Sequence, residues 1–148
     1  MQLPNTTSKA AYSLIEILIV IAIVGILVAL ATPSWHQHLL RAQRSDAMNT
    51  LLRVAVRQTQ YLLQNNSYAT EEQLSLAPPN GLGIAHSSQQ HYDITLPAQA
   101  SGYLATARAR TNGMQFKDKP CRTFSLDATG ERMSRDHNGV DTTENCWK

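Results

Sequence analysis

Glu16 is the only charged residue between Lys9 and Arg41, and it stands at the head of an apolar run that continues to Ala31. A carboxylate inside such a run is costly: a charge at the centre of a membrane helix costs about 2.5–3.5 kcal/mol on insertion scales, and less near an end. A residue that expensive reads as functional, with a cationic partner to be named. Cys121 and Cys146 are the only two cysteines. Their spacing suits a disulfide in an oxidising compartment. No second Cys pair or spaced His pair accompanies them to build a zinc site. Arg108, Arg110, Lys117, Lys119 and Arg122 crowd one stretch against Asp118 alone. Such a basic stripe can meet nucleic-acid phosphates, and Phe116 is the one aromatic residue nearby for stacking; a solvated face is the blander reading. Asp136-x-Asn138-Gly139-x-Asp141 resembles part of a calcium loop but lacks the later Glu, so a polar turn is the expectation. The five His are scattered, and His36 and His38, two apart on a helix, face different ways.

The search for catalytic machinery returns nothing. There is no G-x-S-x-G, H-E-x-x-H, C-x-x-C or phosphate-binding glycine loop. The expectation is a non-enzyme with no cofactor and no metal. A net charge of +2 is too small to imply a nucleic-acid partner by itself.

The elements that position these groups follow from hydropathy. The 148 residues are 43% hydrophobic, yet mean hydropathy is −0.28, so apolar residues are concentrated, mostly in the first third. Tyr12 through Ala31 would span about 30 Å as a helix at 1.5 Å per residue, enough to cross a bilayer. Thr32-Pro33-Ser34-Trp35 is not a signal-peptidase pattern, so the run is expected to stay with the mature chain. Lys and Arg counts near its ends do not settle orientation; the cysteine pair places residues 34–148 outside the cytoplasm.

Beyond Pro33 the pattern turns amphipathic. Leu39, Leu40, Ala47, Met48, Leu51, Leu52, Ala55 and Leu62 recur at helical spacing up to about Gln64. Asn65-Asn66-Ser67 reads as a stop. Residues 65–90, with Pro78-Pro79-Asn80-Gly81, read as a surface loop. Strands are then predicted at His91–Leu96, Tyr103–Arg110, Arg122–Asp127 and Glu131–Ser134, separated by Gly- and Asn-rich turns. The predicted fold is α+β: a long N-terminal helix, an antiparallel β-meander of about four strands packed on its amphipathic half, and a C-terminal disulfide-bounded region.

Lys9-Ala10-Ala11-Tyr12-Ser13-Leu14-Ile15-Glu16, with the apolar run, Gly25 and Pro33, closely resembles the N-terminus of type IV pilins. The resemblance implies a cleaved leader over residues 1–11, a filament-core or transmembrane half over 12–33, and a periplasmic head over 34–148. Within the head, 34–64 is the amphipathic helix, 65–90 the connector and 91–148 the sheet and disulfide region. It implies cutting by a prepilin peptidase between Ala11 and Tyr12 and N-methylation of Tyr12. The family usually has Gly before the cut and Phe after it; Ala11 and Tyr12 depart from both, conservatively. Glu16, fifth in the mature chain, then resembles the residue that meets a neighbouring subunit's N-terminal amine. Such a pair neutralises itself in a low-dielectric core. Other implied partners are further pilin subunits and the inner-membrane assembly platform. The implied location is the inner membrane, then a cell-surface pilus.

Asn66-Ser67-Tyr68, the Leu126-to-Gly130 turn and Cys146-Trp147 further resemble minor pilins of the PilE and ComP type, some of which are DNA-uptake receptors. The leading expectation is a structural minor pilin acting in filament initiation or assembly. The alternatives are a DNA receptor using the basic stripe, and a type II secretion pseudopilin, which shares the N-terminus.

Overall fold

The computed structural model describes residues 13–148, so Ala11 and Tyr12 lie outside the described residues. The chain divides into two units, one ending at His38 and the other running Leu39–Lys148.

One helix, α1, Leu14–Asn65, contributes to both units, and its backbone stays helical through 31–34. In the first unit, the apolar side chains from Leu14 to Leu30 are exposed in the isolated chain. An all-round apolar helix of this kind needs lipid or other helices to cover it. Among the described residues no single helix is long and apolar enough to cross a membrane; Leu14–Leu30 reaches that standard only when joined to Trp35–Asn65.

In the second unit, α1 buries Ala47, Leu51, Val54 and Gln58, spaced four, three and four apart along one face. Leu52, expected in the buried stripe, is exposed, and Val54 takes its place. The helix ends where Asn66 adopts φ of 55°, a left-handed conformation that Asn tolerates. The Gln58 side chain then secures the chain reversal: its amide donates to Ala69 O and its oxygen accepts from Ala69 N, both at 2.9 Å.

The connector holds more than a loop. A short helix, α2, Glu71–Leu74, forms there, with the Gln73 oxygen accepting from Thr70 N at 2.7 Å. Thr70-x-x-Gln73 is a capping-box pattern that marks this start. The connector folds back so tightly at Gly81 that a Cβ there would sit 2.1 Å from Gln73 O.

Strands β1 (Tyr92–Thr95), β2 (Leu104–Ala109), β3 (Thr123–Asp127) and β4 (Arg132–Arg135) form an antiparallel meander in the order β1-β2-β3-β4. Alternation decides the faces. Tyr92, Ile94, Ala105, Ala107, Ala109, Phe124 and Leu126 point into the core with α1, and Asp93, Thr106, Arg108, Thr123 and Ser125 face outward. The three alanines of β2 leave room for the larger Tyr92 and Phe124, whose rings meet edge to face at 5.9 Å. Phe124 makes a second edge-to-face contact with Trp147 at 5.8 Å. Trp147 follows a short helix, α3, Thr143–Cys146, whose last residue forms the disulfide Cys121–Cys146. Burial pushes the Tyr92 phenol well above its ordinary pKa, with the nearby Asp118 carboxylate adding to the effect.

Candidate nucleic-acid interface

The basic stripe lies on the outward face of β2 and on the segment joining β2 to β3. That segment contains two single-turn 3-10 helices, Met114–Lys117 and Lys119–Cys121. A segment this polar would ordinarily be loose, yet it is fixed at several points.

Asp118, 3% exposed, takes a bidentate pair from Arg44 of α1, Nε to Oδ2 at 2.7 Å and Nη2 to Oδ1 at 2.9 Å. Two parallel charge-assisted bonds fix direction as well as distance. Gln115, fully buried, donates its amide to Leu40 O at 3.1 Å and to Asp118 Oδ2 at 3.0 Å. His137 N donates to Lys119 O, the Thr142 hydroxyl donates to Pro120 O, and the disulfide holds Cys121.

The five predicted cations then separate. Arg110 pairs with Asp93 at 3.2 Å, and His86 contacts the same carboxylate at 2.9 Å. Arg122 lies over the Phe116 ring, 3.7 Å from its centroid, and donates to Phe116 O. Both are spent within the head. Phe116, the expected stacking platform, is covered by that guanidinium. Arg108, Lys117 and Lys119 are exposed and have no ion-pair partner among the described residues.

The strand register adds a residue. Arg108 lies opposite Asp93 on one side and Thr123 on the other, and Thr123 lies opposite Arg135. Arg108 and Arg135 therefore share one outward row, two strands and about 10 Å apart. The Asp141 carboxyl is held below its ordinary range by hydrogen bonds from the Thr143 N–H and hydroxyl, with the Arg135 charge contributing. Arg135 lies outside the 108–122 stripe in sequence, and only strand pairing brings it into the row of Arg108. Beside this row, Thr95, Thr106, Thr111 and Thr123 line a shallow groove of about 530 Å³ together with Arg108 and Asp93, the latter already paired with Arg110. Hydroxyls and free cations on one surface are the groups that bind phosphate and sugar, which position a protein on nucleic acid without reading its sequence.

The Asp136 segment is a turn. Asp136 Oδ1 accepts from Asn138 N at 2.7 Å and Val140 N at 2.9 Å, so its own backbone takes up the charge. Among the described residues no group of His, Cys, Asp and Glu could hold a metal ion.

A four-stranded meander packed on the C-terminal half of α1 and closed by a C-terminal disulfide, with the apolar N-terminal half of the same helix bearing Glu16, is the architecture of a type IV pilin. A prokaryotic N-terminal methylation motif matches residues 6–32. The family described as type IV minor pilin ComP, DNA uptake sequence receptor, matches residues 33–125, from α1 to β3, and the chain belongs to that family. Among curated relatives it is similar to two sequences of the type IV major pilin protein PilE1 of Neisseria gonorrhoeae. One is 28% identical over 93% of this chain and 84% of its own length; the other is 37% identical over 93% and 64%. The fimbrial protein EcpC of Eikenella corrodens is 50% identical over 28% of this chain and 27% of its own. The protein is thus a structural subunit and not an enzyme, as the family has it.

Proposed function

We propose that this chain is a minor subunit of a type IV pilus whose head captures DNA by its phosphates at Arg108, Lys117 and Lys119. The observation that carries this reading is the fate of the charges. Arg44–Asp118 and Gln115 anchor the β2–β3 segment to α1, yet the two lysines beside Asp118 are left free. The match to a DNA-uptake receptor family over residues 33–125 supports it, since that span includes all three free cations. Contact is through the backbone, because Phe116 is covered by Arg122 and offers no open face to a base.

The N-terminal half serves assembly. The leader is removed between Ala11 and Tyr12 by a prepilin peptidase, and the new amine of Tyr12 is methylated. The precursor sits in the inner membrane with its head in the periplasm until the assembly platform adds it to the filament. There Glu16 pairs with a neighbouring subunit's N-terminal amine. A pair of opposite charges removed from water is strongly harmed by losing one partner. Glu16→Ala is therefore expected to insert in the membrane as wild type does but to fall at least about tenfold in sheared filaments, measured by quantitative mass spectrometry; equal incorporation would remove the pairing role. The same preparation reports the first residue of the mature chain, expected to be N-methylated Tyr12, and its abundance relative to other pilins, expected to be low for a minor subunit.

The receptor reading is tested in the host cell. Chains carrying Lys117→Gln with Lys119→Gln are expected to enter filaments normally while DNA uptake falls to the level of a strain lacking the protein. Unchanged uptake would leave a purely structural subunit.

A further inference from the structure

The head carries a second concave surface at the Leu104 end of β2, away from the Ala109 end where the basic segment leaves. Tyr68 and Tyr103 meet edge to face there, with 5.2 Å between ring centroids and 64° between ring planes. Together with Pro97 and the buried Leu96 they line a cleft of about 450 Å³. That volume falls in the range of about 300–1,000 Å³ usual for small-molecule sites.

The ionisable side chains that line the cleft are all acidic: the two phenols, Glu71 and Glu72. Among the described residues no Lys, Arg or His lines it. Glu71 accepts a hydrogen bond from Leu96 N, which fixes it against the end of β1. Glu72 is exposed and has no ion-pair partner among the described residues. Burial raises the Tyr103 phenol above its ordinary pKa, with Tyr68 and Asp127 adding to the effect. A negative field that disfavours a tyrosinate favours a cation.

The groups on offer decide which cation fits. A calcium-like ion takes about six to eight oxygen ligands, which one free carboxylate does not supply. A primary ammonium or a guanidinium brings three to five N–H donors that each want an acceptor. A quaternary ammonium has no N–H, carries its charge beneath methyl groups, and is attracted to aromatic rings. Those methyl groups match Pro97 and Leu96. We infer that the cleft binds a quaternary alkylammonium ion, with Tyr68 and Tyr103 supplying ring surface and Glu72 the counter-charge. The site uses none of Arg108, Lys117 and Lys119, so it stands independently of DNA capture.

The trimethylammonium group occurs both in free choline and in lipid headgroups. Full-length chain in maltoside micelles, isotope-labelled for backbone amide NMR, is titrated with choline chloride at constant ionic strength. Saturable shifts are expected in residues 68–72 and 96–103, which line the cleft. The neutral isostere, with carbon in place of the ammonium nitrogen, should produce no saturable shift. Glu72→Gln alters an exposed side chain and should weaken choline binding about two- to fivefold, the range for an exposed charge pair. Tyr68→Leu should weaken it about fivefold or more, with its amide spectrum reporting that the head is folded. Glycerophosphocholine separates the two sources: binding as tight as that of choline assigns the site to a headgroup, and much weaker binding assigns it to the free cation. No saturable choline shift, equal binding of the neutral isostere, or unchanged affinity in either folded variant would each overturn the site.

Discussion

Asp118→Ala is expected to destabilise the head by about 3–5 kcal/mol, the range for removing one partner of a buried ion pair. Arg44 is only 15% exposed and would be left as an unpaired buried cation. The Gln115 amide would lose one of its two acceptors. The same substitution releases the segment that carries Lys117 and Lys119, so DNA affinity should fall with stability although no phosphate contact is removed. Denaturant unfolding followed by circular dichroism reads the first effect. The double variant Arg44→Met with Asp118→Leu separates charge from shape: an apolar pair of similar volume should recover most of the loss. A stability within about 1 kcal/mol of wild type for Asp118→Ala would mean that the pair does not hold the segment.

Removing the disulfide is the other large perturbation. Cys121 and Cys146 are 25 residues apart in sequence, and closing a loop of that size stabilises by about 3–4 kcal/mol through loop-closure entropy. The bond also places α3 so that Trp147 covers Phe124 and its indole N–H donates to Met133 O at 2.7 Å. Cys121→Ser with Cys146→Ser should therefore lower the unfolding free energy by about 2–5 kcal/mol. Its damage should concentrate at β4 and the C-terminal turn, where amide hydrogen exchange should accelerate most. In native, unreduced protein both thiols should resist alkylation. Uniform loss of protection across β1 and β2 would mean that the bond does not act locally.

Strands β1, β2 and β3 were legible because each buries one face, whereas in β4 only Ser134 is buried. Tyr92, Ile94 and Leu96, like Phe124 and Leu126, alternate with polar residues, and period two has few other readings. The phase of α1 was harder. Leu52, Val56 and Leu63 form a second apolar row beside Leu51 and Val54, and the 3.6-residue period alone does not say which row meets the sheet. Register against Tyr92 and Phe124 decides it. The four-residue α2 is too short to show periodicity and announces itself only through Thr70 and Gln73. The charges were the least legible. Arg44 and Asp118 are 74 positions apart, and Arg122 looked as free as Lys119 until the 3-10 turn brought Phe116 beneath it. Which cations remain for a ligand is a tertiary property: composition located the stripe, and folding divided it.

The direct measurement of DNA capture is the salt dependence of affinity for a fluorescent duplex, read by anisotropy with the full-length chain in detergent. Each phosphate neutralised on a duplex contributes a slope of about −0.9 in log affinity against log salt. Neutralisation by Arg108, Lys117 and Lys119 alone gives a slope near −2.7 by that rule, steeper if Arg135 of the same row also engages, and Lys117→Gln with Lys119→Gln should flatten it by about two units. Arg110→Gln and Arg122→Gln, which remove cations already spent on Asp93 and Phe116, should leave it nearly unchanged. No retention of DNA at about 50 mM salt, or a slope equal for wild type and the double-lysine variant, would contradict capture of DNA by this head.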